Sequence, residues 1–236
     1  MTDPVRVSVF IDPSCPWTWI TAGWLREVAP HRGLMLRWRS LSLVQRDGAE
    51  LPPAVPEDIR ALASAARIQS HRLLRVFEAL RAQSREDQIG GLYQRWGERL
   101  FGGPARTGPP GPPAPGLVAE LVAAAGLPGE FAAAADDESW DAALSASLDA
   151  ASQACGPHPL TPAIVLEESL TGLCGPVFSP APAGEAALRA WDAVRVLLAE
   201  PGFFELSRPR TGPPAVAAGY GRSGTLQAGR QPHPAL

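Results

Sequence analysis

Three cysteines are the side chains best suited to covalent chemistry in this chain, and Cys15 stands apart from Cys155 and Cys174 by its setting. It opens the run Cys15-Pro16-Trp17-Thr18, just after a strand-like segment that ends at Asp12-Pro13-Ser14. The apolar residues that follow, Trp17, Ile20, Trp24 and Val28, recur at three- and four-residue steps. That spacing predicts a helix from Pro16 to Ala29, with proline in its first turn and Cys15 at or beside the N-cap. The free N–H groups and positive dipole end of a helix start favour a thiolate over a thiol. Cys15 is therefore expected to be reactive rather than an inert buried cysteine.

The other candidates have weaker settings. Cys155 precedes Pro162 by seven residues and Cys174 falls in an expected strand, where a buried inert cysteine is the usual case. His158, four residues before Pro162, is a candidate to approach the same site, with a solvated loop residue as the plainer reading. Most of the seven tryptophans are expected in the core. Trp17 differs, because its place in the corner would leave it partly exposed, able to stack on a flat substrate or flank a bound thiol. Neither metal-ligand spacing nor a glycine-rich phosphate loop occurs, so no metal and no nucleotide is expected.

The elements that must position Cys15 follow from periodicity. Val5 to Ile11 reads as a first strand and Leu34 to Val44 as a second, parallel to it across the intervening helix. Asp58 to Phe101 carries helical periodicity, as two or three helices. The stretch 102–116 is a proline- and glycine-rich linker. Short helices are expected at Leu117–Ala125, Gly129–Ala135 and Ser139–Ala154, strands at Ala163–Leu166 and Gly172–Phe178, and a closing helix at Pro182–Ala199. The order is βαβ, inserted helices, ββα. It divides the chain into an α/β domain of residues 1–50 and 160–206, a helical insertion over 51–159, and a tail over 207–236.

Bulk properties narrow the function. The 236 residues are 45% hydrophobic and 19% charged, enough for a core in one enlarged domain or a domain with an insertion. A net charge of -3, with no basic stretch, argues against nucleic acid. All 21 basic residues are arginine, which excludes Schiff-base chemistry and a phosphate-loop lysine. The odd cysteine count, the lack of a signal-like start and the lack of a span-length apolar window lead to the expectation of a cytoplasmic protein without membrane contact.

Several blocks together resemble one family. Phe10-Ile11-Asp12-Pro13-Ser14-Cys15-Pro16-Trp17-Thr18-Trp19-Ile20-Thr21, Thr161-Pro162, Gly175-Pro176-Val177, Trp191-Asp192 and Phe203-Phe204-Glu205-Leu206 are similar to the DsbA-like mycothiol-dependent nitroreductases of actinobacteria. The resemblance covers most of the chain outside the linker and tail. It implies an α/β thioredoxin fold with a large helical insertion, a nucleophilic Cys15, a cis-proline at Pro162 opposite it, and mycothiol or another low-molecular-weight thiol as cofactor. Thr161 would expose backbone groups to a thiol substrate in extended form. Pro16, Trp17, Trp19, Thr161, Pro162 and His158 are the candidate binding residues, with Cys15 and Thr18 as the catalytic pair.

The chain departs from that family at one telling position. Its members carry Cys-Pro-Trp-Cys, whereas Thr18 stands here in place of the resolving cysteine. An internal disulfide cannot close within the motif, so the cycle is expected to use one thiol. Thr18 can donate a hydrogen bond to the Cys15 sulfur but cannot exchange with it. The family's histidine after Gly-x-Arg is also replaced, by Phe101 in Gly97-Glu98-Arg99-Leu100-Phe101. The leading expectation is a monothiol reductase or transferase acting on a small electrophilic molecule. Two alternatives stand beside it: cis-trans isomerisation by reversible addition of Cys15 to a conjugated double bond, and a non-catalytic binding protein. The expected partner is a small molecule, and a homodimer is left open.

Overall fold

The computed structural model describes residues 4–53, 55–102, 112–209 and 214–215. Most of the linker and tail therefore lies outside the described residues. Strand β1 (Val5–Ile11), helix α1 (Pro16–Arg32) and strand β2 (Leu34–Ser40) form a βαβ start, with β1 and β2 parallel from Val5 opposite Leu34 to Ile11 opposite Ser40. Strands β3 (Ala163–Leu166) and β4 (Thr171–Cys174) complete the sheet. Its order is β2-β1-β3-β4, with β3 antiparallel to both neighbours. The central strand β1 sends Val7, Val9 and Ile11 to one face, where they pack with Ile20, Trp24 and Val28 of α1. Helix α8 (Glu185–Ala199) closes the same face through Ala187 and Trp191, and the indole N–H of Trp24 donates to the Ala187 carbonyl at 3.0 Å.

The insertion covers the opposite face and one flank. It follows the short helix α2 (Leu43–Asp47) and comprises α3 (Glu57–Ala82), α4 (Asp87–Phe101), α5 (Leu117–Ala124), α6 (Gly129–Ala133) and α7 (Asp141–Cys155). Helix α7 lies against the second face of the sheet, where Ala151 meets Phe10, Ala163 and Val165, and the Ser147 hydroxyl donates to the Ser40 carbonyl at 2.7 Å. Leu73, Phe77, Tyr93 and Trp96 of α3 and α4 join the same apolar cluster as Val7 and Trp24, so one core runs through insertion and sheet domain alike.

Several element boundaries differ from the expectation, among them the start of the closing helix, at Glu185 instead of Pro182, and three have a local cause. The second strand stops at Ser40 instead of Val44, because Ser42 caps a new helix by accepting from the Gln45 N–H at 3.2 Å. The fourth stops at Cys174 instead of Phe178, since Gly175 takes φ +104° and Pro176 has no N–H for the ladder. The first helix runs past Ala29 and through Pro30 to Arg32, ending where Gly33 adopts the left-handed conformation that glycine allows without strain.

Candidate active site

Local sequence places Cys15 and tertiary packing surrounds it. Cys15 is the N-cap of α1, in extended conformation, with Pro16 at the first helical position. The preceding turn is held by Asp12, whose carboxylate is fully buried. Its Oδ1 accepts from the Ser14 N–H at 2.8 Å, the Ser14 hydroxyl at 2.6 Å and the Ser70 hydroxyl of α3 at 2.6 Å. Its Oδ2 accepts from the Leu43 N–H at 2.8 Å, tying in the start of α2. The indole N–H of Trp96 on α4 donates to the Pro13 carbonyl at 2.8 Å. Two helices of the insertion thus grip the turn from which the cysteine projects.

On its other side Cys15 meets the segment that leads into β3. The Thr161–Pro162 peptide is cis, and the Cys15 thiol donates to the Thr161 carbonyl at 3.7 Å. The Thr161 hydroxyl donates to the Phe10 carbonyl and its oxygen accepts from the Asp12 N–H, both at 3.2 Å. Thr18 Oγ1 lies 2.8 Å from Thr161 Oγ1, and either hydroxyl can be the donor. Thr18 also hydrogen-bonds the Cys15 sulfur through its side chain and its N–H, joined by the Trp17 N–H. The Thr161 hydroxyl has a single proton, so the Thr18 proton is free to point at sulfur only when Thr161 turns its own from the Phe10 carbonyl to Thr18.

The charge state of Cys15 differs from the helix-start expectation. Burial pushes the thiol above its ordinary value, outweighing the bonds from Thr18 and the Trp17 N–H, while the Asp12 carboxylate pushes the same way as burial. The residue is 8% exposed, so the resting form is a thiol held among Phe10, Leu41 and Ala163.

The expected binding residues divide. Pro16, Trp17 and Thr161 are half-buried around the sulfur, with Trp17 against the Cys15 cluster, and Pro162 is buried behind them. Trp19 requires a correction. It is 2% exposed, stacked on Phe101 and edge-on to Tyr93, with Gly97 leaving room for its ring. Two residues are about 200° around a helix, so Trp19 points into the core when Trp17 faces the site. His158 is exposed and sits within electrostatic reach of Asp47, on the α2 side of the loop.

Sequence reasoning missed Asp12, Ser70, Trp96 and Arg46. The first had a signal in Asp12-Pro13-Ser14, where an aspartate two residues before a serine favours a turn closed by its own side chain. The others are distant in sequence and carried none. Arg46 donates to the Pro159 carbonyl at 2.7 Å and lies within electrostatic reach of Asp12, Cys15 and Cys174. Ser42, His71 and Asp141 also align: Ser42 Oγ is 2.8 Å from His71 Nδ1, and His71 Nε2 is 3.2 Å from Asp141 Oδ1. Ser42 is fully buried and caps α2, and Arg75 holds Asp141 in a two-pronged pair at 2.7 and 2.8 Å, so this line braces the fold. Among the described residues no group of three or more His, Cys, Asp or Glu side chains could hold a metal ion, and no helix is long and apolar enough to cross a membrane.

Cys155 and Cys174 pair with each other. Their thiols are hydrogen-bonded, and the Leu160 N–H donates to Cys174 Sγ at 3.1 Å. The shared bond and that N–H lower the Cys174 thiol, while the same shared bond, with burial, raises Cys155.

A four-stranded sheet of this order, a cysteine at the start of α1 and a cis-proline segment facing it define a thioredoxin-fold protein of the DsbA-like type with a helical insertion. Residues 14–208 match the Rv2466c-like family, described as mycothiol-dependent nitroreductase Rv2466c, and the chain belongs to that family. Family and fold make it a thiol-dependent enzyme. It is 27% identical over 212 residues to the uncharacterized protein Rv2286c of Mycobacterium tuberculosis, spanning 87% of this chain and 82% of that protein. Among solved structures, a probable DsbA oxidoreductase from Streptomyces coelicolor is similar with a TM-score of 0.52 at 20% identity, over 89% of this chain and 97% of that one. The cytosolic disulfide reductase DsbM from Pseudomonas aeruginosa, determined with GSH, is similar with a TM-score of 0.51 at 17% identity, over 81% and 99%.

Proposed function

We propose that this protein is a monothiol reductase or transferase in which Cys15 attacks a small electrophilic substrate and a low-molecular-weight thiol, mycothiol by family, regenerates it. The observation that carries this reading is Thr18: fully buried, bonded to Thr161 and to the Cys15 sulfur, it puts an oxygen where a resolving sulfur would be needed. Cys155 and Cys174 are engaged with each other, so neither supplies that sulfur. Mycothiol, when bound, contributes the second thiol that the motif lacks. Trp17, Pro16 and the Thr161 backbone are the residues that would hold it and the substrate beside Cys15, and the Arg46 guanidinium, paired with the Asp47 carboxylate, lies within electrostatic reach.

The chain's own work is to manage one proton and one geometry. The Cys15 proton passes to the group that the attack expels, and the Thr18 hydroxyl turns from Thr161 toward the sulfur to hold the negative charge that develops on the way. The Asp12 bracket keeps the sulfur aligned with the Thr161 carbonyl. Incubation with a small mixed disulfide followed by intact mass measurement tests the reading. A single adduct on Cys15, released at a rate proportional to free thiol, is expected. Turnover that survives Cys15→Ala would overturn it. Addition to a conjugated double bond is the second reading, favoured by the same solitary thiol. Turnover of a conjugated substrate without any added small thiol would select it.

A further inference from the structure

We infer that Cys155 and Cys174 form a second redox centre, a dithiol that a low-molecular-weight disulfide converts into an intramolecular disulfide, chemically separate from Cys15. The geometry begins with a glycine. Gly172 and Cys174 are two residues apart on β4 and share one face of the strand. A Cβ built at Gly172 would lie 2.6 Å from Cys155 Sγ and 3.2 Å from the Ala154 Cβ. The last turn of α7 therefore rests on that face, and the Cys155 sulfur fills the space a side chain at position 172 would occupy. This sets it one pleat from Cys174, with which it shares a thiol–thiol hydrogen bond. Position 172 is open for the sulfur only because it is glycine.

The two sulfurs are unequal, as an exchange centre requires. Cys174 is exposed and receives the Leu160 N–H at 3.1 Å, with the Arg46 cation nearby, so it is the sulfur that gives up its proton more readily and the attacking group. Cys155 is half-buried and keeps the proton. Cys174 attacks one sulfur of a small disulfide, forming a Cys174 mixed disulfide and expelling one thiolate. Cys155, passing its proton to that thiolate, then attacks the Cys174 sulfur and expels the second. One small disulfide is reduced to two thiols while two protein thiols become one disulfide, a two-electron exchange.

The test uses the full chain, unaltered and as Cys15→Ala, with glutathione disulfide as the probe. A protease cleaving after glutamate cuts at Glu167 and Glu168, between the two cysteines, so a bond joining them is read as a linked peptide pair. The expected result in both chains is that linked pair, with loss of maleimide labelling at both cysteines and full recovery on reduction. In a Cys15→Ala chain that also carries Cys155→Ala, the reaction should stop with one glutathionyl group on Cys174. Labelling that persists at both cysteines overturns the inference, as do separate adducts on each without a link, or a link between two chains. The unaltered chain answers the question even where a variant fails to fold. An adduct on Cys15 without the linked pair refutes only this inference, and the linked pair without a Cys15 adduct refutes only the Cys15 mechanism.

Discussion

Replacing Thr18 by valine isolates the one side chain that distinguishes this site from a dithiol motif. Valine keeps the shape of the buried residue and removes the hydroxyl that bonds the Cys15 sulfur and lies 2.8 Å from Thr161 Oγ1. Thr161 retains the Asp12 N–H and the Phe10 carbonyl, so no polar atom there is orphaned and the segment stays in place. A hydrogen bond to a charged group contributes about 1.5–3 kcal/mol, which is roughly a tenfold to hundredfold loss of thiolate at neutral pH. The sign is fixed by the bond's role: it opposes the burial that already pushes the Cys15 thiol up, so its removal pushes the thiol higher still. Iodoacetamide alkylation against pH, on a chain with Cys155→Ala and Cys174→Ala, measures the thiolate directly. The parent rate should climb through alkaline pH, Thr18→Val should shift the climb upward, and Thr18→Ser should restore the parent profile. A Thr18→Val chain alkylated at neutral pH as fast as the parent would refute the role given to the hydroxyl.

Other outcomes follow from neighbouring features. Thr18→Cys, in a chain with Cys155→Ala and Cys174→Ala, should allow a disulfide to Cys15 and confer insulin-reducing activity; a chain in which these two thiols stay free after oxidation would show that the site geometry forbids closure. Gly97→Ala should lower the melting temperature, because its Cβ would come 2.1 Å from the Trp19 ring in a buried contact; overpacking of this kind costs about 1–3 kcal/mol, more than the helix preference for alanine returns. His71 is lowered by burial from its ordinary 6.5, so its stabilisation is complete above that value and is lost as pH falls through the lower folded value. Urea unfolding from neutral pH down to about 5 should therefore show a steeper loss of stability in the parent than in His71→Gln, and equal slopes would contradict that assignment.

Much of the frame was readable without coordinates. The alternation in Val5–Ile11, the three- and four-residue steps after Pro16 and the apolar run Ala163–Leu166 are local patterns, and the corresponding elements form where those patterns lie. The boundary errors arose where a polar side chain or a proline overrides apolar continuity: Leu43 and Val44 extend the β2 pattern, yet the Ser42 hydroxyl starts a helix there. Trp17 and Trp19 look alike in sequence, and only the direction each takes from α1 separates a site residue from a core residue.

The sequence by itself determined that a cysteine begins a helix, that its resolving partner is a threonine, and that a Thr-Pro step precedes a late strand. These depend on spacing within a few residues. Tertiary structure alone decided the charge on that cysteine, because its burial and its bond to the Thr161 carbonyl, 146 residues away in the chain, come from packing and not from the motif. It alone also paired Cys155 with Cys174, joining a helix end to a strand end through the space left by Gly172. Helix dipoles and turn propensities act over one or two turns, whereas desolvation and thiol contacts depend on which distant segments fold together.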